Sequence, residues 1–226
     1  YTYCALLNLY DFSSGDIKYL SGKLLDRLNW QYALSSFNFK HFPPNRRRFG
    51  KNFKTNIDSD YHTVMLKVWA SLYDDTLLVD ISRGQHHALW ATFSSYKPAD
   101  KVMEWILNKP KPYFVKMGHG YNSCPEIISG DRDYLISAGG ANQGRRSLIV
   151  AKPITLFLND SSSDLGETFH MFGPGDNFVD WNNTGVYQDF ACTSGKVHIP
   201  EGKRAVISSA NWQIFYISCL LYTSPS

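Results

Sequence analysis

The chain has 226 residues, 43% of them hydrophobic and 19% charged, which excludes a disordered segment and supplies apolar mass for one large domain or parts of two. Net charge is +3, with the basic residues dispersed apart from Arg46, Arg47 and Arg48, so the footprint of a nucleic-acid binder is not indicated. No run of about 18 apolar residues argues for a membrane span, and the 15% aromatic content suits a thick β core or a surface that stacks on flat ligands, core packing being favoured.

Tyr1, Thr2, Tyr3 and Cys4 open the chain inside a helical pattern and without an initiator Met, so an upstream part of a longer protein, with any targeting signal, is expected to precede them. Leu6, Leu7, Leu9 and Tyr10 crowd together, Ser13 to Asp16 make a break, and Ile17, Leu20, Leu24 and Leu28 recur at helical steps. That spacing predicts an αα-hairpin whose second helix runs through Trp30 to about Leu34. Phe37 to Phe42 and the pair Pro43 and Pro44 then leave helical structure. Residues 45–52 have no periodicity and read as a solvated basic loop, although Arg46 to Arg48 beside Phe49 and Phe53 have the chemistry to grip carboxylates. Tyr61, Val64, Met65, Val68, Trp69 and Leu72 share one face of a helix over about 60–73, with Ser59 or Asp60 as cap. A short helix is expected over 83–93. Another starts near Pro98, presents Val102, Trp105 and Ile106, and is stopped by Pro110 and Pro112.

That proline pair marks the main boundary, because every later segment is short, β-branched or aromatic and bounded by Gly, Pro, Asn or Asp. Strands are expected at 113–117, 126–128, 133–138, 145–150, 154–158, 167–172, 185–191, 196–199, 204–208 and 211–217. Residues 133–158 read as a three-stranded meander turning on a glycine corner at Gly139 to Gly144. That corner, followed by Arg145, Arg146 and Ser147, imitates a phosphate-binding loop. The reading fails because the lysine after the last glycine is missing and a strand, Leu148 to Val150, stands where the helix should begin. Residues 218–226 have no pattern partner and read as a translated adapter tail or a frayed native one. The fold class is therefore α+β, with a helical part over 1–110 followed by an antiparallel β-sandwich over 111–217. Cys4, Cys124, Cys192 and Cys219 show no metal spacing and read as free buried thiols.

Helices packed ahead of an antiparallel β domain, together with the phrase Leu6 to Phe12, the aromatic block around His86, His87 and Trp90, and Tyr134 to Gly140, resemble the heparinase-like polysaccharide lyases. The resemblance implies an incomplete α/α toroid joined to a β-sandwich, with this chain carrying the last toroid helices and the sandwich. It also implies a secreted or periplasmic location, an acidic polysaccharide as partner, and a missing N-terminal part of the same polypeptide that holds much of the cleft.

Breaking a uronic-acid polymer by β-elimination needs a group that neutralises the sugar carboxylate, a base for the C5 proton and an acid for the leaving oxygen. Arg, Asn or His suit the first task, and Tyr or His the other two. The candidates are His86, His87, His119, Tyr121, Tyr61 and His62 for proton transfer and Arg46 to Arg48 for the carboxylate. His119 stands between glycines in a loop, which favours a functional role above the other histidines. His86 and His87 cannot share one helix face, so at most one is expected to enter a cleft. Trp181 and Asn182 join an aromatic plate to amides, as in sugar-binding loops or in an ordinary asparagine-capped turn. No cofactor is expected, and without HxH or HxxxH spacing a metal site has little support. The expected function is a polysaccharide-degrading enzyme, a lyase in preference to a hydrolase because no carboxylate pair stands out. The alternative is a non-catalytic carbohydrate-binding or scaffolding module. The site is expected where helices meet sheet, with His86 or His87 and Arg48 on one side and His119 and Tyr121 on the other.

Overall fold

The computed structural model describes residues 2–44, 54–118, 126–139, 154–172, 184–192, 196–205, 207–209 and 213–214. Within them the chain is a mixed α+β protein with five helices and an antiparallel sheet of six strands. The helices are α1 (Thr2–Phe12), α2 (Gly15–Ser35), α3 (Tyr61–Tyr73), α4 (Gln85–Phe93) and α5 (Asp100–Leu107). Gly15, at φ 56°, makes the left-handed step between α1 and α2 that a side chain would resist. Asp60 caps α3 by accepting from the Thr63 amide at 2.9 Å. Gly84, at φ 86°, starts α4 so close to α3 that an added Cβ would lie 3.1 Å from Val64.

Leu7, Leu25, Met65, Leu66, Trp69, Ala91, Tyr96 and Ile106 form the helical core. The periodic stripe of α2 divides here: Ile17, Leu20 and Leu24 are 50–58% exposed while Leu28 packs against the core, and Phe12 at the end of α1 is 88% exposed. The buried face of α2 is instead Ser21, Gly22, Leu25, Asn29, Tyr32 and Ala33, whose polar members are hydrogen-bonded. Leu72, expected on the inner face of α3, is also exposed.

The strands of the large sheet are β1 (Tyr113–Met117), β2 (Glu126–Gly130), β3 (Tyr134–Ala138), β4 (Ile154–Leu158), β5 (Phe169–Phe172) and β8 (Lys196–His198), and they lie in the order β1-β2-β3-β4-β5-β8. Between β5 and β8 in sequence, β6 (Gly185–Tyr187) and β7 (Phe190–Cys192) form a hairpin; β9 (Ile207–Ser208) pairs with β10 (Gln213–Ile214). The single strand expected over 185–191 is thus broken by a reversal, with Gln188 at φ 51°. β3 pairs directly with β4, Tyr134 opposite Leu158 and Ala138 opposite Ile154, so the two outer strands of the expected meander are neighbours with no strand between them. Residues 145–150 and the glycine corner after Gly139 lie outside the described residues. Cys4 is only partly buried and Cys192 is exposed, contrary to expectation; Cys124 and Cys219 lie outside the described residues.

Side-chain alternation divides the sheet into two faces. Ile128, Leu135 and Phe157 pack on Phe37, Phe42, Ile57 and Leu165, so the segment after α2 is the apolar bridge between helices and sheet. Ile136, Ala138 and Ile154 form the opposite cluster under Val186 and Ala191 of the hairpin. The hairpin is tied down by Ser129 Oγ donating to the Gln188 carbonyl at 2.6 Å.

Two cations pin the helices to the sheet. The buried Lys40 ammonium donates to the Leu158 carbonyl (2.8 Å), the Asp160 carbonyl and carboxylate (both 2.6 Å) and Ser162 Oγ (3.0 Å). Arg83 meets Asn56 and reaches Asp164 at 3.2 Å. Removing the ammonium would leave several buried acceptors unsatisfied, a loss of about 3 kcal/mol. Lys40→Met is therefore expected to lower the free energy of unfolding measured by chemical denaturation by about 3 kcal/mol, seen as a lower midpoint with little change in helix content, whereas an unaltered midpoint would show that the clamp is dispensable.

Candidate active site

Asn29, fully buried in α2, is the hub of a polar network that joins four segments of the helical part. Its Nδ2 donates to the Tyr96 hydroxyl at 2.9 Å, and that hydroxyl donates to Asp26 at 2.7 Å. With Nδ2 facing Tyr96, Oδ1 is the acceptor, and it receives the Tyr3 hydroxyl and His62 Nε2, each at 2.8 Å. His62 must therefore carry its proton on Nε2, which leaves the Nδ1 lone pair as the basic atom. The same logic fixes His41. Ser35 Oγ donates to the Gln31 carbonyl at 2.7 Å, so at 2.9 Å it accepts from His41 Nε2, and Nδ1 is again the base.

The two imidazoles flank one phenol. Tyr32 lies 4.6 Å from His41 and 5.0 Å from His62 between ring centroids, and Tyr3 lies 4.3 Å beyond His62. Burial lowers the His41 pKa to about 4, with Asp60 opposing and Lys109 reinforcing the shift. Burial and then His41 lower that of His62 to about 3. Both residues are nonetheless only partly buried, so solvent screening softens the shift. Burial pushes the Tyr3 and Tyr32 phenols up, so they stay protonated. At neutral pH the cluster thus holds two uncharged bases beside protonated phenols, the complementary states that proton transfer requires. Lys109 extends it towards the sheet. Its buried ammonium donates to the Ser36 carbonyl at 2.7 Å and lies 5.5 Å from the centre of the Tyr113 ring, and burial followed by Lys111 lowers its pKa to about 7.

Of the residues expected at the site, His86 and His87 are described. They occupy the first turn of α4, His86 exposed and His87 partly buried against Tyr61, with ring centroids 6.0 Å apart. Adjacent positions do point differently, yet the two imidazoles touch, 3.8 Å between centroids, because the first turn lets His86 fold back over its neighbour. Burial and then His86 lower the His87 pKa. Burial and then Asp60 raise that of Tyr61, which stays protonated and partly accessible. His62, named for proton transfer, lies in the buried network. His119, Tyr121, Arg46, Arg48, Trp181 and Asn182 lie outside the described residues. Asn29, His41, Tyr3 and Tyr32 escaped the sequence reading. A second helical spacing, Gly22, Leu25, Asn29 and Tyr32, was available in α2 and places the amide on an inward face.

Among the described residues no group of three or more His, Cys, Asp or Glu side chains could hold a metal ion. No protein-family model, curated protein or solved structure matches this chain.

Neutral buried histidines link stability to pH with a definite sign. Unfolded imidazoles take up protons below about pH 6.5, whereas His41 and His62 resist until about 4 and about 3 in the fold. The unfolded chain therefore binds more protons in that window, and the stability present above about pH 6.5 is lost as pH falls. Thermal unfolding followed from pH 7 to pH 4 is expected to show a falling Tm, with a shallower slope in His62→Gln. Superimposable profiles for the two proteins would show that His62 does not resist protonation in the fold.

Proposed function

We propose that this chain belongs to a polysaccharide-degrading enzyme, a lyase that cleaves uronic-acid-containing polysaccharide by β-elimination. The observation that carries the reading is the pair of neutral imidazoles, His41 and His62, each with Nε2–H engaged and Nδ1 left as base, in a helical part that also supplies the partly accessible Tyr61 phenol. In the reaction the C5 proton passes to an Nδ1 atom, the C5–H electron pair forms the C4–C5 double bond, and the C4–O bond breaks. Tyr61 protonates the departing oxygen. Arg46 and Arg48 neutralise the sugar carboxylate, His119 and Tyr121 take part in proton transfer, and Trp181 and Asn182 bind a neighbouring sugar. His87 lies against Tyr61 and His86 against His87, and the two complete the proton-transfer group.

The architecture that goes with this activity is the end of an incomplete α/α toroid joined to a β-sandwich, in a protein exported from the cytoplasm. Its support is the exposed apolar stripe of Phe12, Ile17, Leu20 and Leu24, which suits cover by preceding helices of the same polypeptide. One observation favours the alternative of a binding or scaffolding module: the Tyr3 and Tyr32 phenols are buried and committed to Asn29 and Thr63.

Incubation of the full chain with heparosan, hyaluronan or alginate is expected to generate the ultraviolet absorbance of an unsaturated uronate. His62→Gln is expected to lower kcat by about a hundredfold with little change in KM, since proton transfer acts only in the transition state. A pure binding module would retain polymer without absorbance, and new reducing ends without absorbance would mean hydrolysis.

A further inference from the structure

Lys40 and Lys109 are both buried, but their surroundings differ. The Lys40 ammonium faces four acceptor atoms, whereas that of Lys109 has one, the Ser36 carbonyl at 2.7 Å, with the centre of the Tyr113 ring 5.5 Å away. We propose that Lys109 is a positioning residue for the proton-transfer group: its charge competes with that of a His41 imidazolium at the C-terminal end of α2, so that Lys109 sets the basicity of His41. This deepens the lyase reading above, on which its effect on turnover rests.

The end of α2 is where the two groups meet. A helix leaves its last carbonyls without partners in its own backbone and carries partial negative charge there, which a cation offsets. Tyr113 Oη donates to the Leu34 carbonyl at 3.1 Å, and Lys109 Nζ donates to that of Ser36. Between them Ser35 Oγ turns back to the Gln31 carbonyl and accepts His41 Nε2–H at 2.9 Å. The ammonium and the imidazole thus hold hydrogen-bond partners one residue apart. One positive charge is favourable at such a place, while a second is repelled by the first in an interior that screens little.

A buried ammonium with a single acceptor leaves two N–H groups unmatched, which favours the neutral amine. The lowering of the Lys109 pKa to about 7, by burial and then Lys111, agrees with that count. The other charged or titratable groups facing the pair among the described residues are few. Asp60, at the start of α3, favours charge on His41, while Lys111 opposes it on Lys109. Burial keeps the Tyr32 and Tyr113 phenols protonated and uncharged, and His62 resists protonation to a lower pH than His41 does. Below about pH 7 Lys109 is therefore charged and holds His41 as a weak base. Above that pH the ammonium becomes an amine, the repulsion disappears and His41 is a stronger base. Proton transfer to His41 Nδ1 then gains speed through neutrality on the ionisation of a residue that does not touch the substrate.

The test compares the full wild-type chain with Lys109→Met, which keeps the stem and removes the charge, and Lys109→Arg, which stays charged at every working pH. Histidine NMR followed against pH is expected to show His41 titrating at higher pH in Lys109→Met and at its wild-type pH in Lys109→Arg. With heparosan as substrate, the wild-type kcat for unsaturated product is expected to rise roughly threefold through neutral pH. Lys109→Met should hold the upper value at pH 6 and pH 8 alike, and Lys109→Arg the lower value at both. A residue that merely caps α2 would give another order, with Lys109→Arg matching wild type and Lys109→Met impaired at both pH values. Should Lys109→Met fail to fold, the His41 resonances still decide, since they should respond to the ionisation of Lys109 near neutrality in wild type and not in Lys109→Arg. A His41 titration unmoved in Lys109→Met, or the same response through neutral pH in Lys109→Arg as in wild type, would overturn the proposal. A raised His41 titration with no unsaturated product from any form would sink the lyase reading and leave the coupling standing. Product from all three forms with an unmoved titration would do the reverse.

Discussion

The Lys40 ammonium is the interaction on which the arrangement of helices and sheet depends. A buried cation is tolerated only when its hydrogen bonds are met, and Lys40 meets them with acceptors around the end of β4 and the turn that follows. That requirement fixes the turn carrying Asn38 and Phe39 against Asp160 and Ser162. It also carries Phe37 and Phe42 onto Ile128, Leu135 and Phe157. The apolar bridge and the ionic clamp occupy one short segment, so each favours the geometry the other needs. The site described above borders that segment, since His41 follows the clamp by one residue.

Helix α2 resolves a conflict between its two faces. An apolar stripe at helical spacing ordinarily turns inward, yet the Ile17, Leu20 and Leu24 stripe faces out. The inward face is chosen because it alone can satisfy the polar groups packed against it. Asn29 answers Tyr3, His62 and Tyr96, and Tyr32 answers Thr63 at 3.0 Å. A network of this kind is stabilising only when complete, and turning α2 over would strand each of these groups in the interior. Specificity of packing in the helical part therefore comes from hydrogen bonds, with Leu7, Leu25, Leu66 and Trp69 filling the space between them.

What the sequence made legible follows from the same physics. The α1–α2 break within Ser13 to Asp16, a cap at Ser59 or Asp60, the stop after α5 and the strands β1, β3 and β4 were readable because each rests on local chemistry, namely turn residues, a side-chain acceptor, prolines or a β-branched run. The orientation of α2 was not, since two interleaved spacings coexist and the choice between them is made by partners far away in sequence. The break of residues 185–191 into a hairpin was hidden because Gln188 takes a left-handed φ without being Gly or Asn. For the site, His62 was visible as a candidate, but its anchor Asn29 lies 33 residues earlier. His41 sat unmarked in a segment that looked like mere connection. A residue's chemistry shows in sequence, whereas the partner that sets its tautomer and pKa is a product of the fold.

The depressed basicity of these groups sets a constraint on any proton transfer they perform. Imidazoles with pKa values of about 3 and about 4 are too weak to hold a carbon-bound proton against an unassisted substrate. On the lyase reading the substrate offsets this through its carboxylate: an arginine that neutralises it acidifies the C5–H bond, so that a weak base suffices. A neutral polymer carries no carboxylate to be neutralised, so on that reading selectivity for uronate would arise at the proton-transfer step itself, in addition to any selectivity in binding.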